Sequence, residues 1–233
     1  MEATWAPRKI LAEERFSSLL FPLLHRKNMT DRNATIYVID DDESIRDSLG
    51  SLLRSVGFQV EVFASTESFL IFPRKDVSSC LVLDVRLPGS SGVEFQEHLK
   101  KAGIEIPIIF ITAHGDIPMT SRAIKAGAIE FLTKPFQKED LLVAVDHAFT
   151  LDRNRRHKDN ILRSLRQRID SLTDREREVM AMVTAGLLNK QIAADLSLSE
   201  ITVKLHRRHV MDKMKAASLA DLVKMCELAK PHS

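Results

Sequence analysis

The sequence predicts two domains of different class: an α/β domain with a five-stranded parallel sheet over residues 34–150, and an all-α domain of four helices over residues 169–230. Three observations carry this. Between Thr35 and Phe149, short apolar runs alternate five times with stretches of helical period. Buried strands alternating with helices call for a parallel sheet covered on both faces, because right-handed crossovers leave few other arrangements. After Phe149 the composition shifts, with seven Arg or Lys residues against the single acid Asp159 between Arg153 and Arg168. From Thr173 onward the strand signals stop, and capped helical segments succeed one another at short intervals.

In the first half, Ile36–Ile39 is an apolar strand ending in Asp40-Asp41-Asp42-Glu43. The helix after it, with Ile45, Leu49, Leu52, Leu53 and Val56 at helical spacing, stops at Gly57. Phe58–Phe63 reads as a second strand and Thr66–Phe72 as a short helix ended by Pro73. The unbroken apolar run Leu81–Leu83 stops on Asp84, and Pro88, Gly89 and Gly92 turn the next residues into a loop. A helix from about Gly92 to Ala102 leads to the fourth strand, Pro107–Ile111, which ends on Thr112. A helix over about Ile117–Ala126 stops at Gly127, the fifth strand Ile129–Leu132 runs into Lys134-Pro135, and a helix spans Lys138 to about Phe149.

Composition excludes several classes. With 44% hydrophobic and 28% charged residues over 233 positions, the chain has the balance of a soluble globular protein. Cys80 and Cys226 are the only cysteines, which gives no disulfide framework and fits a reducing cytoplasm. No run approaches about twenty apolar residues, so no membrane span is expected. Residues 1–33 form an N-terminal extension, in which Trp5, Ile10, Leu11, Phe16, Leu19, Leu20, Phe21, Leu23 and Leu24 could lie on a helix interrupted by Pro22. Residues 1–28 are expected to be dispensable, with Met29 an alternative start; a partner-binding or membrane-surface helix is the other reading.

In doubly wound sheets the functional crevice lies outside the carboxyl ends of the strands. Those ends carry Asp40 and Asp41, then Asp84, Thr112 and Lys134. Each alone has a plainer reading, as a helix N-cap, a strand residue or a loop lysine. Asp84 itself could be a cap, a metal ligand or a nucleophile. Together on one rim, the residues suit a phosphoryl acceptor site. Clustered carboxylates repel and call for a cation, and oxygen-only ligands suit Mg²⁺. One carboxylate can act as nucleophile, while a hydroxyl and an ammonium hold the phosphoryl oxygens.

Residues 34–150 resemble the receiver domain of two-component response regulators through Val38-Ile39-Asp40-Asp41-Asp42, Leu83-Asp84-Val85-Arg86-Leu87-Pro88 with Gly92, Ile111-Thr112-Ala113 and Lys134-Pro135-Phe136. The resemblance implies a flavodoxin-like doubly wound sheet in the order 2-1-3-4-5. It also implies a phosphoacceptor at Asp84, Mg²⁺ held by Asp40, Asp41, Asp84 and the backbone carbonyl of Arg86, and a cis Lys134–Pro135 bond. Asp41 is the more direct metal ligand of the acid pair. Thr112 and Lys134 take the hydroxyl and ammonium roles, and Phe131 takes the aromatic switch position, where many relatives have Tyr. The competing enzyme class, phosphatases of the haloacid-dehalogenase type, needs a second acid two residues after the nucleophile, and Arg86 stands there.

The basic stretch 151–168 carries Ile161, Leu162, Leu165 and Ile169 at helical intervals and reads as a solvated, partly helical linker, with a short dimer-forming helix as the alternative. Thr173-x-x-Glu176 is a capping box that opens a helix closed at Gly186. Next come a helix over Lys190–Leu196, a turn at Ser197-Leu198-Ser199, a helix to about Met214 and a last helix over about Leu219–Leu228. Short helix, tight turn, longer basic helix is the helix-turn-helix order.

At 100° per residue Val203, Val210 and Met214 fall within about 40° of one another and face the core. Ile201, Lys204, Leu205 and Arg208 then face outward, where Lys204 and Arg208 can donate to guanine edges and Leu205 can meet a thymine methyl. Lys190, Arg207, His209, Lys213 and Lys215 are placed for phosphates. Leu172-Thr173-x-Arg175-Glu176, Gly186-Leu187-x-Asn189-Lys190-x-Ile192-Ala193 and Thr202-Val203-Lys204-x-His206 resemble the LuxR-type helix-turn-helix. The resemblance adds Thr202 and Val203 to a DNA-contact set of Lys190, Thr202, Val203, Lys204, Leu205, Arg207 and Arg208.

With both resemblances, the chain is similar to response regulators of the FixJ/NarL class. His114-Gly115-Asp116-x-Pro118-Met119 points to the FixJ subgroup. This implies a cytoplasmic transcription regulator, no enzyme beyond self-phosphorylation and slow self-dephosphorylation at Asp84. Its partners would be a sensor histidine kinase, promoter DNA with paired half-sites, a second copy of itself when phosphorylated, and RNA polymerase. A DNA-binding protein that ignores phosphorylation and keeps the receiver for docking is the alternative.

Overall fold

A computed structural model describes residues 34–113 and 127–230. The expectations for residues 1–33, for the helix over about 117–126 and for the stretch His114–Met119 lie outside the described residues. The chain divides into two compact units, residues 1–154 and 155–233.

In the first unit, β1 (Thr35–Ile39), β2 (Gln59–Phe63), β3 (Ser79–Asp84), β4 (Ile108–Thr112) and β5 (Glu130–Thr133) form one sheet in the order β2-β1-β3-β4-β5, every neighbouring pair parallel. This is the expected doubly wound order. The central strands β1, β3 and β4 are buried on both faces, as the interior of a parallel sheet requires, while the edge strands β2 and β5 keep exposed residues. Ile36, Val38, Cys80, Val82, Ile109 and Ile111 pack on one side with Leu49 and Leu53 of α1 (Glu43–Ser55) and with Leu141, Val145 and Ala148 of α4 (Lys138–Asp170). On the other side Tyr37, Ile39, Leu81, Leu83, Ile108 and Phe110 meet Phe69 of α2 (Thr66–Ile71) and Phe95 and Leu99 of α3 (Gly92–Lys101).

Some boundaries differ from expectation for local reasons. Pro107 stays outside β4 because it has no N–H to donate, although its carbonyl accepts from Leu81 N at 2.9 Å. The loop after Asp84 contains a two-residue antiparallel ribbon, Arg86–Leu87 with Ser90–Ser91, turning through Gly89 at φ 82°. The helix expected to end near Phe149 runs on through the basic stretch to Asp170.

In the second unit the four expected helices are α5 (Asp174–Thr184), α6 (Asn189–Leu196), α7 (Glu200–Met214) and α8 (Leu219–Ala229). Thr173 and Glu176 form the capping box, and Gly186 turns the chain at φ 90°. Ser197 takes the left-handed conformation between α6 and α7, and Ser199 caps α7. Val179, Val183, Ile192, Ala193, Val203, Val210, Met214 and Leu222 fill the core together with Leu165 of α4.

Candidate functional site

The register of the sheet builds the first site. Ile39 pairs with Leu83, so Asp40 and Asp84, each the next residue along, leave adjacent strands at the same level. Thr112, buried at the end of β4, pairs with Thr133, and the adjoining residue, Lys134, donates its backbone N–H to the Thr112 carbonyl at 2.7 Å. The Lys134–Pro135 bond is cis, as the resemblance implied. The Lys134 ammonium reaches across the rim and donates to Asp40 Oδ2 at 2.8 Å and to Asp84 Oδ2 at 2.6 Å. Three residues from three strand ends, separated by 50 and 94 positions in the chain, thus share one cluster.

The other carboxylate oxygens are held from the backbone. Asp42 N donates to Asp40 Oδ1 at 3.0 Å and Arg86 N to Asp84 Oδ1 at 2.8 Å. Burial pushes the Asp40 carboxyl above the usual range, and this outweighs its hydrogen bonds from Lys134 and Asp42. Burial also opposes the charge on Lys134. Its hydrogen bonds to Asp40 and Asp84 and their negative charges overcome that and raise its pKa.

The acid run divides its labour. Asp42 is the plain helix cap of α1, accepting from Ser44 N and Ile45 N, whereas Asp40 points into the cluster and Asp41 is exposed. Packing beside Asp84 accounts for the glycine at the end of the loop. A Cβ at Gly92 would stand 2.6 Å from the Asp84 carbonyl and 3.0 Å from the Phe110 ring. Phe131 is half-buried and pairs in register with Phe110, the ring centroids 6.2 Å apart.

Among the described residues, no three acidic, histidine or cysteine side chains stand gathered around one point as a metal cage. The donor chemistry still suits a hard divalent cation. Asp40 and Asp84 carry two negative charges against one ammonium, Asp41 adds a third beside them, and every ligand atom would be oxygen.

The second site is the exposed side of α7. Ile201 is 79% exposed and Leu205 51% exposed, and Lys204, Arg208, His209 and Lys190 are exposed with them. Val203 corrects the expected contact set. None of its surface is exposed, because it lies on the core face with Val210 and Met214, so its side chain cannot reach DNA. The Thr202 hydroxyl lies 2.8 Å from that of Ser199 at the cap. Arg207 gives one donor to Asn189 Oδ1 at 2.7 Å, tying α7 to the start of α6.

Lys213, expected at a phosphate, instead donates to Glu176 Oε2 at 2.6 Å and to the Ser171 carbonyl at 3.3 Å. His209 Nδ1 stands 3.6 Å from Glu176 Oε1. The hydrogen bond from Lys213 holds the Glu176 carboxyl below its usual range despite burial. The capping box gave Glu176 away as a helix start; its second task, anchoring the far end of α7, had no local signal.

Both sites have counterparts among known proteins. Residues 36–146 match the response regulator receiver domain, and residues 170–226 match the LuxR family of bacterial regulatory proteins. Nodulation protein W of Bradyrhizobium diazoefficiens is 53% identical over 194 residues, which cover 83% of this chain and 86% of that protein. The chain belongs to the FixJ/NarL class of response regulators.

This response regulator is also 46% identical over 204 residues to the response regulator protein TodT of Pseudomonas putida, covering 88% of the chain and 90% of the relative. It is 43% identical over 197 residues to the transcriptional regulatory protein FixJ of Rhizobium meliloti, covering 84% and 96%. Among solved structures, the response regulator StyR superposes with a TM-score of 0.76 at 50% identity, over 83% of this chain and 98% of that one. Full-length FixJ from B. japonicum superposes at 0.52 and 38% identity, over 84% and 97%. This response regulator thus pairs a receiver with a LuxR-type DNA-binding domain, as its relatives among the transcriptional regulators of two-component systems do.

Proposed function

We propose that Asp84 accepts a phosphoryl group from a sensor histidine kinase, and that the modified protein dimerises and binds promoter DNA through α7. One observation supports this above the others: the Lys134 ammonium lies between Asp40 and Asp84 on the carboxyl rim of the sheet. A cation so placed can neutralise charge on a group transferred to Asp84. As a carboxylate oxygen of Asp84 bonds to phosphorus, the bond from phosphorus to the donor histidine nitrogen breaks and the imidazole leaves. Lys134 then holds one phosphoryl oxygen and the Thr112 hydroxyl another. Mg²⁺, bound by Asp40, Asp41, Asp84 and the Arg86 carbonyl, would shield the incoming group from the acids. Arg86 stands where a phosphatase would need its leaving-group acid, which favours a phosphoryl group that is held over one quickly hydrolysed.

The held charge draws Thr112 inward and lets the Phe131 ring turn, remodelling the face beside β5 on which two copies meet. A two-fold dimer reads two half-sites about one helical turn apart. Lys204, Leu205 and Arg208 face the bases, and Lys190, Thr202 and Arg207 lie toward the backbone. The reading includes a cytoplasmic location, activation as the output and contact with RNA polymerase.

The test is treatment with acetyl phosphate and Mg²⁺, then intact mass and a gel shift. A gain of about 80 Da that Asp84→Asn abolishes, together with tighter DNA binding, is the expected result. Unmodified protein that binds DNA equally well would instead mark a constitutive regulator.

A further inference from the structure

Arg46 is a cation at the acidic rim to which the proposed phosphoryl chemistry gives no role. Its guanidinium comes from the first turn of α1 and folds back over the chain crossing from β1. One nitrogen, Nη1, donates to the Asp40 carbonyl at 2.8 Å and to the Asp41 carbonyl at 2.9 Å. The same crossing is pinned by the Asp40 carboxylate, which accepts from Asp42 N, and by the Asp42 carboxylate, which accepts from Ser44 N and Ile45 N. Three consecutive acids repel one another, and the peptide units between them would otherwise turn to separate the charges. Arg46 fixes the two peptide carbonyls and so the directions in which the Asp40 and Asp41 side chains leave the backbone.

We infer that Arg46 is a positioning residue that presents Asp40 and Asp41 to the divalent cation, acting through the backbone of the β1–α1 crossing. This rests on the reading of Asp40 and Asp41 as cation ligands. Arg46 touches carbonyls and not carboxylates, so its loss moves the ligands without removing one. Both bonds also come from a single nitrogen, so a lysine ammonium can make them, whereas a bidentate guanidinium role could not be passed to lysine.

The test measures phosphorylation of the full-length protein by phosphoramidate as Mg²⁺ is varied, with mass spectrometry as the readout, for the wild type, Arg46→Gln and Arg46→Lys. Arg46→Gln is expected to raise the half-saturating Mg²⁺ concentration by about tenfold or more, the scale for groups that orient metal ligands. Its rate at saturating Mg²⁺ should stay near that of the wild type, and Arg46→Lys should restore most of the affinity. A purely structural role would lower the amount of active protein without moving the half-saturation point, and thermal unfolding of each variant reads that separately. An unchanged Mg²⁺ dependence in Arg46→Gln overturns the inference, as does a fallen maximal rate with normal Mg²⁺ affinity. Wild-type protein that is modified equally well without Mg²⁺ overturns the cation reading itself, and the inference with it.

Discussion

Asp40 and Asp84 face one another across a lysine, and the behaviour of that group is decided residue by residue. The backbone next to Asp84 leaves no room for a side chain at position 92, where a Cβ would come within 2.6 Å of a carbonyl that cannot move without the strand. Gly92→Ala should therefore destabilise the receiver by about 1–3 kcal/mol through overpacking, measurable as a lower denaturant midpoint. An unchanged midpoint would show that the loop yields without cost.

In the DNA-binding domain, Glu176 supplies a pH dependence with a definite sign. Its carboxyl is held below the usual range by Lys213, so the pair's contribution is fully present above the unfolded value of about pH 4.3. It is lost as the pH falls through the lower folded value. Glu176→Gln keeps a side chain able to complete the capping box but removes the charge. The melting temperature of the full chain should then fall less steeply between about pH 5 and pH 3 in the variant than in the wild type. Equal slopes would place the acid sensitivity elsewhere.

At the scale of elements, α7 separates two classes of residue that alternate along one helix. Val203, Val210 and Met214 are fully buried, whereas Lys204, Leu205 and Arg208 face outward. Val203→Ala should cost about 1–3 kcal/mol of stability by leaving a cavity. It should weaken binding to every DNA sequence in step with the unfolded fraction. Lys204→Ala and Arg208→Ala should leave the melting temperature alone and each relax discrimination by about 1–3 kcal/mol at one base pair. Binding selections with randomised operators distinguish these outcomes, and a uniform loss for Lys204→Ala would move it to the phosphate-contacting group.

The helical wheel had already assigned Val203 to the core. Its inclusion among DNA contacts came from the shared Thr-Val-Lys motif, and the burial of its side chain decides for the wheel. The basic stretch 151–168 reads as a partly helical linker from its charge and from the helical spacing of Leu162, Leu165 and Ile169. The structure goes further, because α4 runs through it unbroken from Lys138 to Asp170.

For the whole molecule, the receiver and the DNA-binding domain make separate demands that one experiment can join. Protein treated with acetyl phosphate and Mg²⁺ should sediment as a dimer and protect two half-sites about 10 base pairs apart, while Asp84→Asn stays monomeric and binds more weakly. A truncation that begins at Met29 should match the full chain in both respects, because the residues of both sites lie beyond it. Loss of either behaviour on truncation would give residues 1–28 a task.

Much of this was legible from local signals. Apolar runs ending on Asp40, Asp84 and Thr112 mark strands and their exits, and Gly57 and Gly186 mark helix ends through backbone that only glycine adopts easily. Thr173 with Glu176, and Ser199, announce helix starts by side chains that satisfy open N–H groups. These features depend on neighbours within a few positions, so the sequence by itself determined the element order, the two domains and the identity of the rim residues. What only the tertiary structure decided are pairings between distant positions. Lys134 meets Asp40 and Asp84, Lys213 meets Glu176, and Arg207 meets Asn189, because sheet register and helix packing bring their backbones within reach. A charge has no preferred partner along the chain; distance and burial choose one for it.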